Sequence, residues 1–173
     1  MTSIVKRLRA PARAASHRAP AALTTAGSRT AQADPRWPAI AAALAGLRDG
    51  HRHSVRIVDA DCACGLLLIE AARYARTLGF TAIEGHGIDG APMLVGRARA
   101  AATRLHDPAI GLTFALADMA QALAQEAAFP ADIVLCHDRD GTGERPGFAR
   151  LLAAAGHLVI GDPVSAARRR PAA

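Results

Sequence analysis

From Asp34 onward, apolar residues recur in two alternating rhythms, one helical and one extended. Ile40, Ala43, Leu44 and Leu47 fall at i, i+3, i+4 and i+7, one face of a helix. Asp34-Pro35 supplies its start, with Asp as cap and proline in first position, and Asp49-Gly50 its end. Residues 55–60 read as a buried strand. Residues 65–78 read as a helix with Leu68, Ala71, Ala72, Ala75 and Leu78 on one face and Glu70, Arg73 and Thr77 on the other, closed by Gly79. A second strand falls within residues 81–89, although Gly85 and Gly87 are poor strand formers. A helix over 92–105 follows, with proline in its first turn. Residues 112–118 and 132–136 give further strands, 119–128 and 148–155 further helices, and 157–160 a fifth strand.

Strands alternating with helices at this spacing predict βαβ units. The expected fold class is α/β, a doubly wound, mainly parallel Rossmann-like sheet of about five strands with helices on both faces, a three-layer sandwich. At 173 residues one domain accounts for the chain. The expected organisation is a disordered basic tail over 1–33, a folded α/β domain over 34–163 and a basic tail over 164–173.

Charge sharpens this division. Residues 1–33 hold Lys6 and five arginines with no acid, and Arg168, Arg169 and Arg170 lie in the last stretch. Between them, twelve arginines face fifteen acids, so the body is mildly acidic although the whole chain carries +6. A nucleic-acid-binding domain spreads basic residues over a folded face, which this pattern lacks, so nucleic acid is not an expected partner. No apolar run approaches the roughly 20 residues that span a bilayer, so no integral membrane association is expected. The acid-free N-terminal stretch has the look of a transit peptide, but the Ala and Arg bias of the whole chain produces the same look. Three cysteines do not suggest a disulfide framework, and a reducing cytoplasm is the expected location.

Ligands of an open parallel sheet bind beyond the carboxyl ends of its strands, where the winding reverses. The polar residues there are Asp59 and Asp61 after the first strand, Asp89 after the second, Asp118 after the third and Cys136-His137-Asp138 after the fourth. A lone Asp at a strand end is ordinarily a helix cap or turn residue. Acids at three successive strand ends suit ribose hydroxyls, amines or a sulfonium, and disfavour a pyrophosphate. A nicotinamide dehydrogenase would need Gly-x-Gly-x-x-Gly in the first turn, which carries an extra acid instead. Cys62, Cys64, Cys136 and His137 pose a metal question, but Cys-x-Cys is not the usual chelating spacing, and no metal is expected.

In order and spacing, these segments resemble a class I S-adenosylmethionine-dependent methyltransferase, divergent and C-terminally short. Ile57-Val-Asp-Ala-Asp-Cys-Ala-Cys-Gly65 is similar to the family's first motif, apolar-apolar-acid-x-Gly-x-Gly-x-Gly. Gly87-Ile-Asp-Gly-Ala-Pro-Met-Leu-Val-Gly-Arg-Ala-Arg99 resembles the second, Phe114-Ala-Leu-Ala-Asp-Met119 the third and Ala131-Asp-Ile-Val-Leu-Cys136 the fourth. The resemblance covers residues 36–163 and implies S-adenosyl-L-methionine as cofactor, with methyl transfer to a small-molecule acceptor. It implies that Asp59, Asp61, Cys62, Ala63 and Gly65 hold the methionine part. Asp89 and Gly90 would receive the ribose, Asp118 and Met119 the adenine, and Cys136 would line the methyl site with His137 and Asp138 as candidate bases.

Two departures qualify this expectation. Asp61 and Ala63 stand where the first two glycines belong, and Ala63 must either avoid positive φ or crowd the ligand. The expected cost is 1–3 kcal/mol, about 10- to 100-fold in cofactor affinity. The family's terminal antiparallel strands have no counterpart here, which exposes a sheet edge to a partner chain or a second copy. A catalytically inactive, methyltransferase-like binding subunit is the alternative function.

Overall fold

The computed structural model describes residues 26–137 and 146–163. The C-terminal tail, Asp138 and most of the N-terminal tail lie outside these residues. Five strands, β1 (Ser54–Ala60), β2 (Ala82–Asp89), β3 (Ile110–Leu116), β4 (Ala131–Cys136) and β5 (Gly156–Ile160), form one sheet in the order β3-β2-β1-β4-β5. Every pairing is parallel. The order reverses between β1 and β4, so the expected doubly wound architecture is the observed one.

Alternation along β1 explains the two cores. Val55 and Ile57 face one side, where α2 (Trp37–Asp49), α3 (Leu66–Thr77) and α4 (Pro92–Ala102) cover the sheet with Ile40, Leu44, Leu68, Val95 and Ala98. Val58 and Ala60 face the other, packed by Leu123 of α5 (Met119–Glu126) and Leu152 of α6 (Pro146–Ala155). On β2, Gly85 and Gly87 are required rather than merely tolerated. A Cβ at Gly85 would lie 2.4 Å from Leu112 Cδ2, and one at Gly87 2.5 Å from the Phe114 ring. The side chains of β3 cross over β2 at those two points. At the amino end of the sheet, Arg56 is held between Glu84 at 3.0 Å and Glu126 at 2.7 Å, and His86 meets the other oxygen of Glu126 at 2.7 Å.

The structure corrects several boundaries. Order begins before Asp34: residues 26–32, expected in the tail, form α1 (Ala26–Gln32). Its partner is Glu70, expected on the solvent face of α3 but buried. Ser28 Oγ donates to Glu70 Oε2 at 2.8 Å and Gln32 Nε2 to Oε1 at 2.7 Å, so both carboxylate oxygens anchor α1. Asp34 does not cap a helix at Pro35. It closes a turn, and α2 starts at Trp37 with Arg36 as its flanking residue and Pro38 in its first turn. The third strand runs two residues earlier than expected, ending at Leu116, and α4 stops at Ala102. The sheet's edges are β3 and β5, the latter carrying half-exposed Leu158 and Val159. No helix of the described residues is long and apolar enough to cross a membrane.

Replacing Glu70 by Ala removes the acceptor that Ser28 and Gln32 share and should cost about 2 kcal/mol, the scale of hydrogen bonds to a charged group. Hydrogen exchange should quicken in residues 26–33 and change little in β1 and β4. Unchanged protection in α1 would show that apolar packing alone holds it.

Candidate functional site at the strand ends

Backbone conformation defines the first turn. Asp61, Ala63 and Gly65 have φ of 65°, 50° and 73°, so alternate residues are left-handed where the resemblance places three glycines. Ala63 therefore adopts positive φ rather than avoiding it. Three hydrogen bonds hold it there, two within the backbone and one to a side chain: Cys62 N–H to Ile88 O at 2.9 Å, Gly65 N–H to Cys62 O at 2.8 Å and Ala63 N–H to Asp89 Oδ2 at 2.9 Å. Only Gly65 is sterically obligatory, since a Cβ there would lie 2.6 Å from the Phe114 ring. Gly65 also precedes α3, whose start has no side-chain cap, so its first-turn N–H groups face the loop.

Asp89, expected to receive a ribose, is 3 % exposed and braces this turn. Its Oδ1 accepts from Ala91 N–H at 2.7 Å and its Oδ2 from Ala63 N–H. A carboxylate offers about four acceptor sites, so two lone pairs remain beyond these bonds. Gly90 is exposed, and a Cβ there would meet nothing within 4 Å. Asp118 is exposed and caps α5, its Oδ1 accepting from Gln121 N–H at 2.9 Å. Met119 packs partly against the α5–α6 core, while Met93 and Leu116, at the same end of the sheet, are 71 % and 50 % exposed. Cys62 is buried beside Gly87. Burial, together with the nearby Asp59 and Asp89 charges, pushes its thiol well above the usual range. Cys136 is buried against Ile160 O, and Cys64 is half-buried.

The switch point between β1 and β4 holds a cluster that the sequence reading missed, centred on Arg36. This guanidinium is 2 % exposed. It grips Asp34 through Nε and Nη2, both at 2.9 Å, and its Nη2 also reaches His137 Nε2 at 2.7 Å. Asp162, after β5, lies 3.6 Å from Arg36 Nε and accepts from His137 Nδ1 at 3.3 Å. Burial raises the Asp34 pKa, but the hydrogen bonds and charge of Arg36 bring it below the ordinary value. Asp59, 1 % exposed, sits deeper, and its Oδ1 and Arg36 Nη1 are both buried without a hydrogen-bond partner among the described residues. Burial pushes the Asp59 carboxyl up to about 7, with Arg36 opposing and Asp34, Asp61 and Asp89 adding to the rise.

A cleft of about 620 Å³ lined by Arg52, Glu84, Phe129 and His157 opens at the opposite, amino end of the strands. Doubly wound sheets bind ligands beyond the carboxyl ends, so the strand-end residues, not this cleft, form the candidate site.

Two outcomes test this geometry. Ala63→Gly relieves a left-handed alanine and should raise stability by about 1 kcal/mol, read as a higher denaturant midpoint at constant slope. A lower midpoint would mean that the turn is not left-handed at 63. For Asp59, the unfolded carboxyl ionises near 3.8 while the folded one keeps its proton to about 7. Rising pH across that window therefore favours the unfolded chain. Asp59→Asn should exceed the wild type in stability at pH 8, with the advantage gone by pH 4. A pH-independent difference in unfolding experiments would contradict the burial of an ionisable Asp59.

No family model matches the chain, and no curated protein matches it. Solved structures do. Magnesium protoporphyrin IX methyltransferase from Synechocystis PCC 6803, with bound SAM, is 22 % identical with a TM-score of 0.50, covering 76 % of this chain and 57 % of its own. The bifunctional kinase-methyltransferase WbdD is 20 % identical with a TM-score of 0.52, covering 71 % of this chain and 27 % of its own. The plantazolicin methyltransferase BpumL, in complex with a monoazolic desmethylPZN analogue and SAH, is 16 % identical with a TM-score of 0.50, covering 78 % of this chain and 51 % of its own. The chain thus spans little more than half the length of these proteins, or less. Its fold is that of the class I S-adenosylmethionine-dependent methyltransferases.

Proposed function

We propose that the chain binds S-adenosylmethionine at the carboxyl ends of β1, β2 and β3 and transfers its methyl group to a small-molecule acceptor. The observation that carries this reading is the left-handed run at 61, 63 and 65, tied by Ala63 N–H to Asp89 at the end of the neighbouring strand. A turn with alternate left-handed residues turns its backbone toward a ligand at the strand ends, even though two of its three glycines are gone.

The residues present fit such a ligand. The uncapped first turn of α3 offers N–H groups to a carboxylate, and the buried acid Asp59 suits an amine. Asp89 retains acceptor capacity for ribose hydroxyls. Exposed Met93 and Leu116 supply apolar surface for a purine beside Asp118 and Met119. The cofactor would supply an activated methyl group on a sulfonium that leaves as a neutral thioether. The protein's task is then mainly alignment of the acceptor, with a base needed only where the acceptor must lose a proton. A second reading, binding without turnover, is favoured by one contact: the Arg36 guanidinium lies on His137, the candidate base.

Thermal-shift titration tests the binding step. At a concentration about 100-fold above its dissociation constant, S-adenosylmethionine or S-adenosylhomocysteine should stabilise the chain by about 2.7 kcal/mol, several degrees in Tm, and NAD should not. Asp89→Ala, compared with its own ligand-free melting point, should lose the shift. Stabilisation by NAD alone would sink the proposal.

A further inference from the structure

We infer that His137 and Asp162 form a base dyad and that Arg36 is its gate, so that the strand-end cluster accepts an O–H or N–H substrate only after Arg36 leaves the imidazole. The inference rests on the methyl-transfer reading for its chemistry, and on geometry alone for the state of His137. Arginine is donor-only, so the 2.7 Å contact from Arg36 Nη2 makes His137 Nε2 an acceptor. Its ring proton then resides on Nδ1, where Asp162 Oδ2 accepts it at 3.3 Å. A carboxylate behind Nδ1–H is the arrangement that fixes a tautomer and orients Nε2 for proton abstraction. In this structure, that lone pair points at a guanidinium.

Several features single out Arg36 as a gate rather than a permanent partner. It is carried at the start of α2, in the segment that follows α1 and its anchor on Glu70, and not on the sheet. Its primary partner is Asp34, two residues away, so the pair can move as one unit without breaking its own hydrogen bonds. Its Nη1 is buried with no hydrogen-bond partner among the described residues, and Asp59 Oδ1 likewise, so the closed state leaves polar atoms unmatched. Displacement of the Asp34–Arg36 pair from His137 would uncover Nε2.

With the gate open, the acceptor's oxygen or nitrogen bonds to the methyl carbon as the carbon–sulfur bond breaks. Its proton passes to His137 Nε2, giving an imidazolium whose Nδ1–H stays on Asp162. The positive charge of the sulfonium is thereby transferred to the imidazolium, and the Asp162 carboxylate offsets it. Asp162 and Arg36 are positioning residues in this scheme, and His137 is the base.

Two measurements decide the matter. Long-range ¹H–¹⁵N spectra of the wild type should show His137 as the Nδ1–H tautomer, and an Nε2–H signal would overturn the inference whatever the variants do. Diethylpyrocarbonate labelling followed by mass spectrometry reads the lone pair directly, with exposed His51 and His53 as internal references. Arg36→Met keeps the stem and removes the donor. Relative labelling of His137 should rise about 10-fold, the scale of losing a hydrogen bond to a charged group. Equal labelling in the wild type and in folded Arg36→Met would overturn the gate. Neither readout needs the cofactor, so failure to bind S-adenosylmethionine would count against the function without imitating either result.

Discussion

Parallel strands deliver their carboxyl ends to one side of the sheet, and in this chain that side collects acids faster than cations. Asp59, Asp61, Asp89 and Asp162 all arrive there, with Asp34 brought in by the preceding turn, and Arg36 is the buried cation among them. Buried carboxylates without a counter-charge would protonate or open the structure to water. Arg36 lowers that cost for Asp34 and only moderates it for Asp59, whose carboxyl still titrates near 7. The position of α2, the state of His137 and the ionisation of Asp59 therefore depend on one guanidinium.

A second constraint divides the site into two halves. On the β2 side, Asp89 is committed to backbone N–H groups and builds the turn that any ligand would meet. On the β4 side, the side chains of Asp162 and His137 both meet Arg36. In the first half the partners are main-chain N–H groups of Ala63 and Ala91, in the turns that follow β1 and β2. The second depends on side chains from three separate segments, which is the kind of contact a ligand can rearrange.

Much of this was readable in the sequence because it rests on local pattern. The Val55-Arg-Ile-Val run and the spacing of Leu68, Ala71, Ala72 and Ala75 define a strand and a helix without reference to the rest of the chain. The same logic located Asp59 and Asp89 at strand ends. What escaped depends on partners distant in sequence. Glu70 looked solvent-facing by helical period because nothing nearby reveals Ser28 and Gln32, some forty residues away. Arg36 was passed over because His137 and Asp162 lie 101 and 126 positions further on. Gly85 and Gly87 counted against a strand until Leu112 and Phe114 were seen crossing it. A buried arginine beside Asp-Pro, in a stretch otherwise acid-free, was the available signal.

The left-handed alanine changes how the degenerate first turn should be understood. Strain weakens binding only when the ligand imposes it, and the φ of 50° at Ala63 belongs to the fold of the turn. The energetic cost of that conformation, of order 1 kcal/mol, falls on folding stability. It is carried by the hydrogen bond to Asp89 and by strand pairing on both sides of β1. Only the methyl group itself, if it meets the ligand, can subtract from affinity. Loss of the glycines is thus compatible with a ligand-binding turn, and under the proposed methyl transfer the more consequential barrier is the arginine lying on His137.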